Sequence, residues 1–181
     1  MKKSTLSLIF IFFIYYYQAQ TVTELFEKRD FQELVKQEKK ADKLTPEELY
    51  MVGFAFFQLE NDKKAIEFYD KAISQGLNEG YIYFYKGLSL CYMKEYDAAL
   101  KQIDISLEKE PENQEYLNQK GQIYRMQGKD EKALACFEAA TKLPNTYGEP
   151  FFWVAYMHHG KEDFDKALPL YYVAKDSAAC S

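Results

Sequence analysis

Cysteine, histidine and tryptophan are scarce in this chain of 181 residues. Its three cysteines, Cys91, Cys136 and Cys180, are odd in number and widely spaced, which excludes a disulfide framework and a zinc cluster. Cys91 and Cys136 fall in helical patterns and are expected to act as small buried apolar residues. Cys180 is expected to be a free thiol, open to intermolecular pairing in an oxidising compartment. The two histidines, His158 and His159, are adjacent; neighbours on a helix diverge by about 100°, so they cannot chelate one metal together. There is no Gly-rich phosphate loop and no nucleophile elbow. The acidic run at 108–112 is broken by Lys109 and Pro111 and lacks the alternating oxygen ligands of a calcium loop. No stretch shows the strict alternation of a strand. No residue set selects a catalytic site, a metal or a cofactor, so a non-enzymatic protein is expected.

Basic charge is also in short supply. Without Lys2 and Lys3 the chain carries 21 basic against 28 acidic residues, a net charge of −7. That argues against nucleic acid, which needs clustered Lys and Arg to neutralise phosphates.

One long apolar run exists, Leu6 to Tyr17, preceded by Lys2 and Lys3 and followed by Gln18-Ala19-Gln20. A basic start, about 12 apolar residues and a small residue at the end predict a signal peptide over 1–20, cut after Ala19 or Gln20. The mature protein would then be periplasmic or extracellular. The alternative is an uncleaved membrane anchor, although the run is short of the roughly 20 residues a span requires.

What the sequence has in place of motifs is a period. Ala65, Ala99, Ala133 and Ala167 are spaced by 34 residues, as are Gly53, Gly87 and Gly121, with Ala155 in the fourth place. A fixed period of this length marks an array of supersecondary units that bury apolar surface only by stacking. Four frames follow without insertion: 46–79, 80–113, 114–147 and 148–181. Thr45-Pro46-Glu47-Glu48 opens the first with a capping signature. Each frame splits into two helical patterns at a polar turn. Small residues let the paired helices approach, and large ones fill the space: Phe56, Leu90, Tyr124 and His158 in first helices, Tyr69, Ile103, Phe137 and Tyr171 in second helices. Residues 21–45 are helix-prone but out of register with this frame. They predict one or two N-terminal helices covering the first unit.

The pattern resembles the tetratricopeptide repeat. Unit one carries it in Leu49, Val52, Gly53, Phe56, Ala65, Tyr69 and Ala72; unit two in Tyr83, Gly87, Leu90, Ala99, Ile103 and Pro111. Unit three does so in Leu117, Gly121, Tyr124, Ala133, Phe137 and Ala140; unit four in Phe151, Val154, Ala155, Ala167, Tyr171 and Ala174. Departures are Lys86 and Lys120 before the glycine, whose stems can pack while their amines reach water, Ser106 in an alanine slot, His158 in an aromatic slot, and Pro169, which should kink or delay the last helix.

The resemblance implies an all-α solenoid, a right-handed superhelix whose first helices line a groove for a protein or peptide segment. The inward residues would be Tyr50, Phe54 and Phe57 in unit one; Tyr81, Phe84, Tyr85, Leu88 and Tyr92 in unit two; Asn118, Gln119, Gln122 and Arg125 in unit three; and Phe152, Trp153, Tyr156 and His159 in unit four. With no lysine and one arginine among them, a basic carboxylate clamp is not expected. Aromatic anchors are, with Asn118, Gln122 and Arg125 as the polar patch. Tyr and Trp stacking on a glycan is a weaker alternative. The last helix keeps Leu168, Leu170, Tyr171, Tyr172 and Val173 without a polar cap beyond it, so that two chains are expected to pack there, or the helix to fray, or the array to continue; self-association through that helix is the second functional reading.

Overall fold

The computed structural model describes residues 21–144 and 147–178, and every regular element among them is helical. The predicted signal peptide and Cys180 lie outside the described residues. Two short helices, α1 (Val22–Glu27) and α2 (Phe31–Leu34), lead into a 3₁₀ segment, Val35–Lys43. Thr21 starts α1 with a reciprocal capping box to Glu24, and the Asp30 side chain caps α2.

Four helix pairs follow. They are α3 (Pro46–Gln58) with α4 (Asp62–Ser74), α5 (Gly80–Tyr92) with α6 (Tyr96–Lys109), α7 (Gln114–Met126) with α8 (Asp130–Thr141), and α9 (Gly148–Gly160) with α10 (Phe164–Ala178). The first helices therefore begin 34 residues apart. At α3 the Thr45 hydroxyl accepts from the Glu48 N–H (3.2 Å), the Glu48 carboxylate accepts from the Thr45 N–H (2.9 Å), and Pro46 occupies the first turn. Two of the helix's unpaired N-terminal donors are thereby considered: one is satisfied by the hydroxyl, and proline removes another.

The turn inside each unit is the same device four times. Glu60, Lys94, Gly128 and Glu162, again 34 apart, all have φ near +60°. The following N–H closes back onto the first helix: Asn61 to Phe56 O, Glu95 to Leu90 O, Lys129 to Tyr124 O and Asp163 to His158 O, at 2.8–3.0 Å. This is the left-handed helix stop with a six-to-one hydrogen bond. Glycine serves it in unit three alone; the other units hold a side chain in a region disfavoured by about 1 kcal/mol.

Within a unit the small–large pairing is steric. A Cβ added to Gly53 would meet the Tyr69 ring at 2.8 Å, one on Gly87 would meet Ile103 at 2.8 Å, and one on Gly121 would meet the Phe137 ring at 2.6 Å. Tyr69, Ile103 and Phe137 are fully buried against those glycines. In unit four alanine takes the glycine's place, and Tyr171 is only half-buried. Ser106, also buried, satisfies itself by donating to Ile103 O at 2.7 Å.

One expectation is refined and two need correction. The Lys86 and Lys120 stems pack, and their amines meet the half-exposed Asp70 and Asp104 carboxylates of the preceding unit at 2.6 and 2.7 Å. Burial opposes the Lys120 charge, but the Asp104 carboxylate outweighs it and holds the amine above its usual range. The same cross-unit staple thus recurs at the first two junctions. Pro169 does not delay its helix, which runs from Phe164 through Ala178. Pro169 and Asp165, whose carbonyl loses its donor, both sit on the exposed side, where water can replace the bond. Cys136 is half-buried, whereas Cys91 is buried with its Sγ 3.7 Å from Met126 Sδ. No helix among the described residues is long and apolar enough to cross a membrane.

Candidate functional site

The predicted groove residues all lie on the first helices, α3, α5, α7 and α9, but they form two unlike regions. In units one and two the rings pack on one another. Tyr50 meets Tyr81 at 4.7 Å between centroids, Phe54 meets Tyr85 at 4.9 Å, and Phe57 meets Tyr85 at 5.6 Å and Tyr92 at 5.8 Å. The N-terminal segment closes this cluster from outside. Phe26 and Phe31 set their rings against Phe54 at 5.5 and 6.0 Å. Edge-to-face and offset pairs of this kind add to the area they bury. Burial pushes the Tyr50 phenol far up, helped by the neighbouring Tyr85 and Tyr81 phenols.

Phe84 is not a groove residue. It is 3 % exposed and stacks on Tyr116 at 4.6 Å, sealing the junction of units two and three. Tyr116 slides over it from the next unit, a contact that spacing within one helix does not reveal. Tyr92, by contrast, is 62 % exposed at the rim.

Units three and four present an open, mixed surface. Glu149 Oε1 accepts from Gln122 Nε2 at 2.8 Å and from the Trp153 indole N–H at 3.2 Å. The Arg125 guanidinium lies over the Trp153 ring at 4.4 Å, and Trp153 backs onto Phe137 at 5.9 Å. A cation held on an indole face is oriented as well as attracted. Phe152 and Tyr156 are exposed beside it, 6.2 Å apart and stacked. A cavity of about 600 Å³ opens between the units, with Arg125, Tyr156, His159, Lys161 and Tyr171 in its walls. Asn118 is buried at 3 % exposure, below this surface, and its Oδ1 has no hydrogen-bond partner.

The two histidines face different surroundings: His158 Nδ1 sits 3.5 Å from Asp163 Oδ2, while the His159 ring meets Phe164 edge-on at 5.3 Å. No group of three His, Cys, Asp or Glu side chains among the described residues is arranged to hold a metal ion.

Sequence reasoning missed Glu115, Glu149, Tyr147, Lys161 and Tyr171. The frame contains the signal for two of them: Glu47, Tyr81, Glu115 and Glu149 share one position of the period. Burial, together with the Glu149 charge, pushes the Glu115 carboxyl up. Burial and the same two carboxylates push the Tyr147 phenol up to about 12, against an opposing hydrogen bond from Asn118.

Sequence profiles of the tetratricopeptide repeat match residues 86–147 and residues 49–75. A search of curated proteins finds no match. Among solved structures the chain is similar to MamA, at 18 % identity with a TM-score of 0.77 over 88 % of this chain and 95 % of that one. It is similar to MamA (41-end) from Desulfovibrio magneticus RS-1, at 21 % identity and a TM-score of 0.70 over 85 % and 86 % of the two chains. It is also similar to YrrB, described as a TPR protein with an unusual peptide-binding site, at 21 % identity and a TM-score of 0.68 over 86 % and 82 %. At these identities the likeness is one of fold. Tetratricopeptide-repeat domains bind protein or peptide partners and are generally non-catalytic scaffolds. The 34-residue helix pairs, their small–large packing and the matching profiles make this chain a tetratricopeptide-repeat protein, an all-helical array without strands among its described residues.

Proposed function

We propose that this protein is an exported, non-enzymatic scaffold that binds a protein or peptide segment on the first-helix face of units three and four. One observation carries the reading: Phe152 and Tyr156 remain exposed beside an indole-backed arginine and a cavity of about 600 Å³. Exposed contiguous aromatic surface is costly in a soluble protein and usually marks an interaction site. Aromatic and arginine anchors are also the residues that dominate binding energy. The structural likeness to YrrB, with its peptide-binding site, supports the same use. Export rests on the composition of residues 1–20 alone. The test is capture of partners from an envelope extract with the tagged chain and with a Phe152→Ala/Tyr156→Ala variant. A partner retained by the wild type and lost by a folded variant supports the reading. Equal retention removes this face.

A second reading, self-association, has its own observation. Phe164, Leu168 and Tyr172 form an i, i+4, i+8 stripe on α10, each more than half exposed. Light scattering over a concentration series decides it: a mass that stays monomeric counts against a dimer.

A further inference from the structure

We propose that the groove across units three and four recognises charge of both signs, taking an extended peptide that carries a basic side chain and, about four residues away, an acidic one. The proposal rests on the binding role given above and specifies its ligand.

The acidic pole is built on α7 and α9. Glu115, Asn118 and Gln122 share one face of α7 by their i, i+3, i+7 spacing. Gln122 reaches across to Glu149. Tyr147, two residues before Glu149, donates its backbone N–H to Gln114 Oε1 at 3.1 Å, which holds the start of α9 against the start of α7, where Glu115 lies. Among the described residues neither glutamate has a Lys or Arg within ion-pair distance. Asn118 lies beneath them: almost wholly buried and hydrogen-bonded to the Tyr147 phenol, it keeps an Oδ1 that accepts nothing. Buried acceptors without donors are rare and costly. An ammonium or guanidinium brings several donors and a charge that relieves the Glu115–Glu149 repulsion.

The basic pole lies at the other end of the same helices. Arg125 has no carboxylate partner among the described residues, and its Nε is buried without an acceptor. Its planar group is fixed on Trp153 and faces the cavity with His159 and Lys161. Asp130 also lines that cavity, leaving the cations in excess. Guanidinium suits a carboxylate because its fork of donors matches the two oxygens.

Glu115 and Arg125 are ten residues apart on one helix, roughly 15 Å at 1.5 Å per residue. An extended chain covers about 3.3–3.6 Å per residue, so four to five residues bridge the poles. Trp153 touches both, donating to Glu149 and stacking under Arg125. As the sole tryptophan it reports on the whole site.

The test titrates the full chain, read by Trp153 fluorescence, with an acetylated, amidated octapeptide. It has lysine second, aspartate sixth, and alanine, leucine and phenylalanine elsewhere. Companion peptides replace the lysine by norleucine or the aspartate by asparagine. The doubly charged peptide should bind on the order of tenfold more tightly than either companion, the size of effect a well-placed charge pair gives. Glu115→Gln should abolish the advantage of the lysine and keep that of the aspartate; Arg125→Gln should do the reverse. Circular dichroism checks that both variants stay helical. Equal midpoints for all peptides, no titration at all, or variants that erase both preferences alike would overturn the proposal. A captured partner that needs Phe152 and Tyr156 but ignores both charge variants sinks only this proposal. One that ignores the aromatic pair as well sinks the groove itself.

Discussion

Units one and two pack their first-helix rings on one another, leaving a cavity of about 590 Å³ beside Phe57 and Tyr92, while units three and four leave Phe152 and Tyr156 exposed beside one of about 600 Å³. In the first half an aromatic cluster is completed by Phe26 and Phe31 from the N-terminal segment, and a lysine–aspartate pair joins the units. In the second half the glycine slot of unit four is filled by Ala155, Tyr171 stands half out of the core, and the lysine position is Val154. The lesson is that one repeat pattern can be tuned along its length. Where the glycine slot holds alanine, in unit four, the second-helix ring is left half out of the core and lines a cavity.

That contrast can be broken by substitution. The largest effect belongs to the swallowed rings. Tyr69→Ala should cost about 3–5 kcal/mol, as removal of a fully buried aromatic does, whereas Tyr171→Ala should cost less than half as much. Urea denaturation of the two variants compares them, and equal losses would contradict the difference between the halves.

Next come the glycine slots. Gly121→Ala forces a methyl into the Phe137 ring and should cost about 1–3 kcal/mol by overpacking. Ala155→Gly, the reverse change in unit four, should lose under about 1 kcal/mol, the price of a glycine inside a helix. Thermal unfolding followed by circular dichroism resolves both. A stabilised Ala155→Gly would mean that Tyr171 can still drop into its slot.

The cross-unit staple is smaller. A double-mutant cycle of Asp70→Asn and Lys86→Met should give a coupling of about 1 kcal/mol or less, because the aspartate is half exposed. It should shrink at high salt.

A pH series sharpens the contrast at the open end. The folded protein raises the Glu115 carboxyl above its ordinary range. The fold therefore binds that proton more readily than the unfolded chain does, and ionised Glu115 works against folding at neutral pH. The penalty is relieved as pH falls through the raised value. Glu115→Gln should accordingly melt slightly higher than the wild type at pH 7 and indistinguishably from it at pH 3. The smallest effect is in the turns: Lys94→Gly should change stability by under about 1 kcal/mol, since relief of the positive φ is offset by added freedom in the unfolded chain.

Much of this architecture was legible beforehand because a repeat writes its geometry many times. The glycine and alanine period located the helix pairs, and Thr45-Pro46-Glu47-Glu48 marked the first of them. The groove was harder. Spacing on one helix says which side chains share a face, but not what lies across from it. Phe84 met Tyr116 of the next unit and left the accessible surface, and Phe54 met rings from a segment outside the frame and became half-buried. Lys86 and Lys120 found carboxylates because Asp70 and Asp104 stand sixteen residues before each of them, a correspondence between units that only packing makes meaningful. Glu115 and Glu149 stand at the starts of their helices, where an acid is ordinary, and what sets Glu149 apart is that it accepts from Gln122 of the neighbouring unit and from Trp153.

Amide hydrogen exchange with and without a captured partner tests the central claim most directly. Binding on the open half predicts slowed exchange in residues 115–126 and 149–160, with 50–57 and 81–92 unchanged. Protection confined to 50–57 and 81–92 would contradict it.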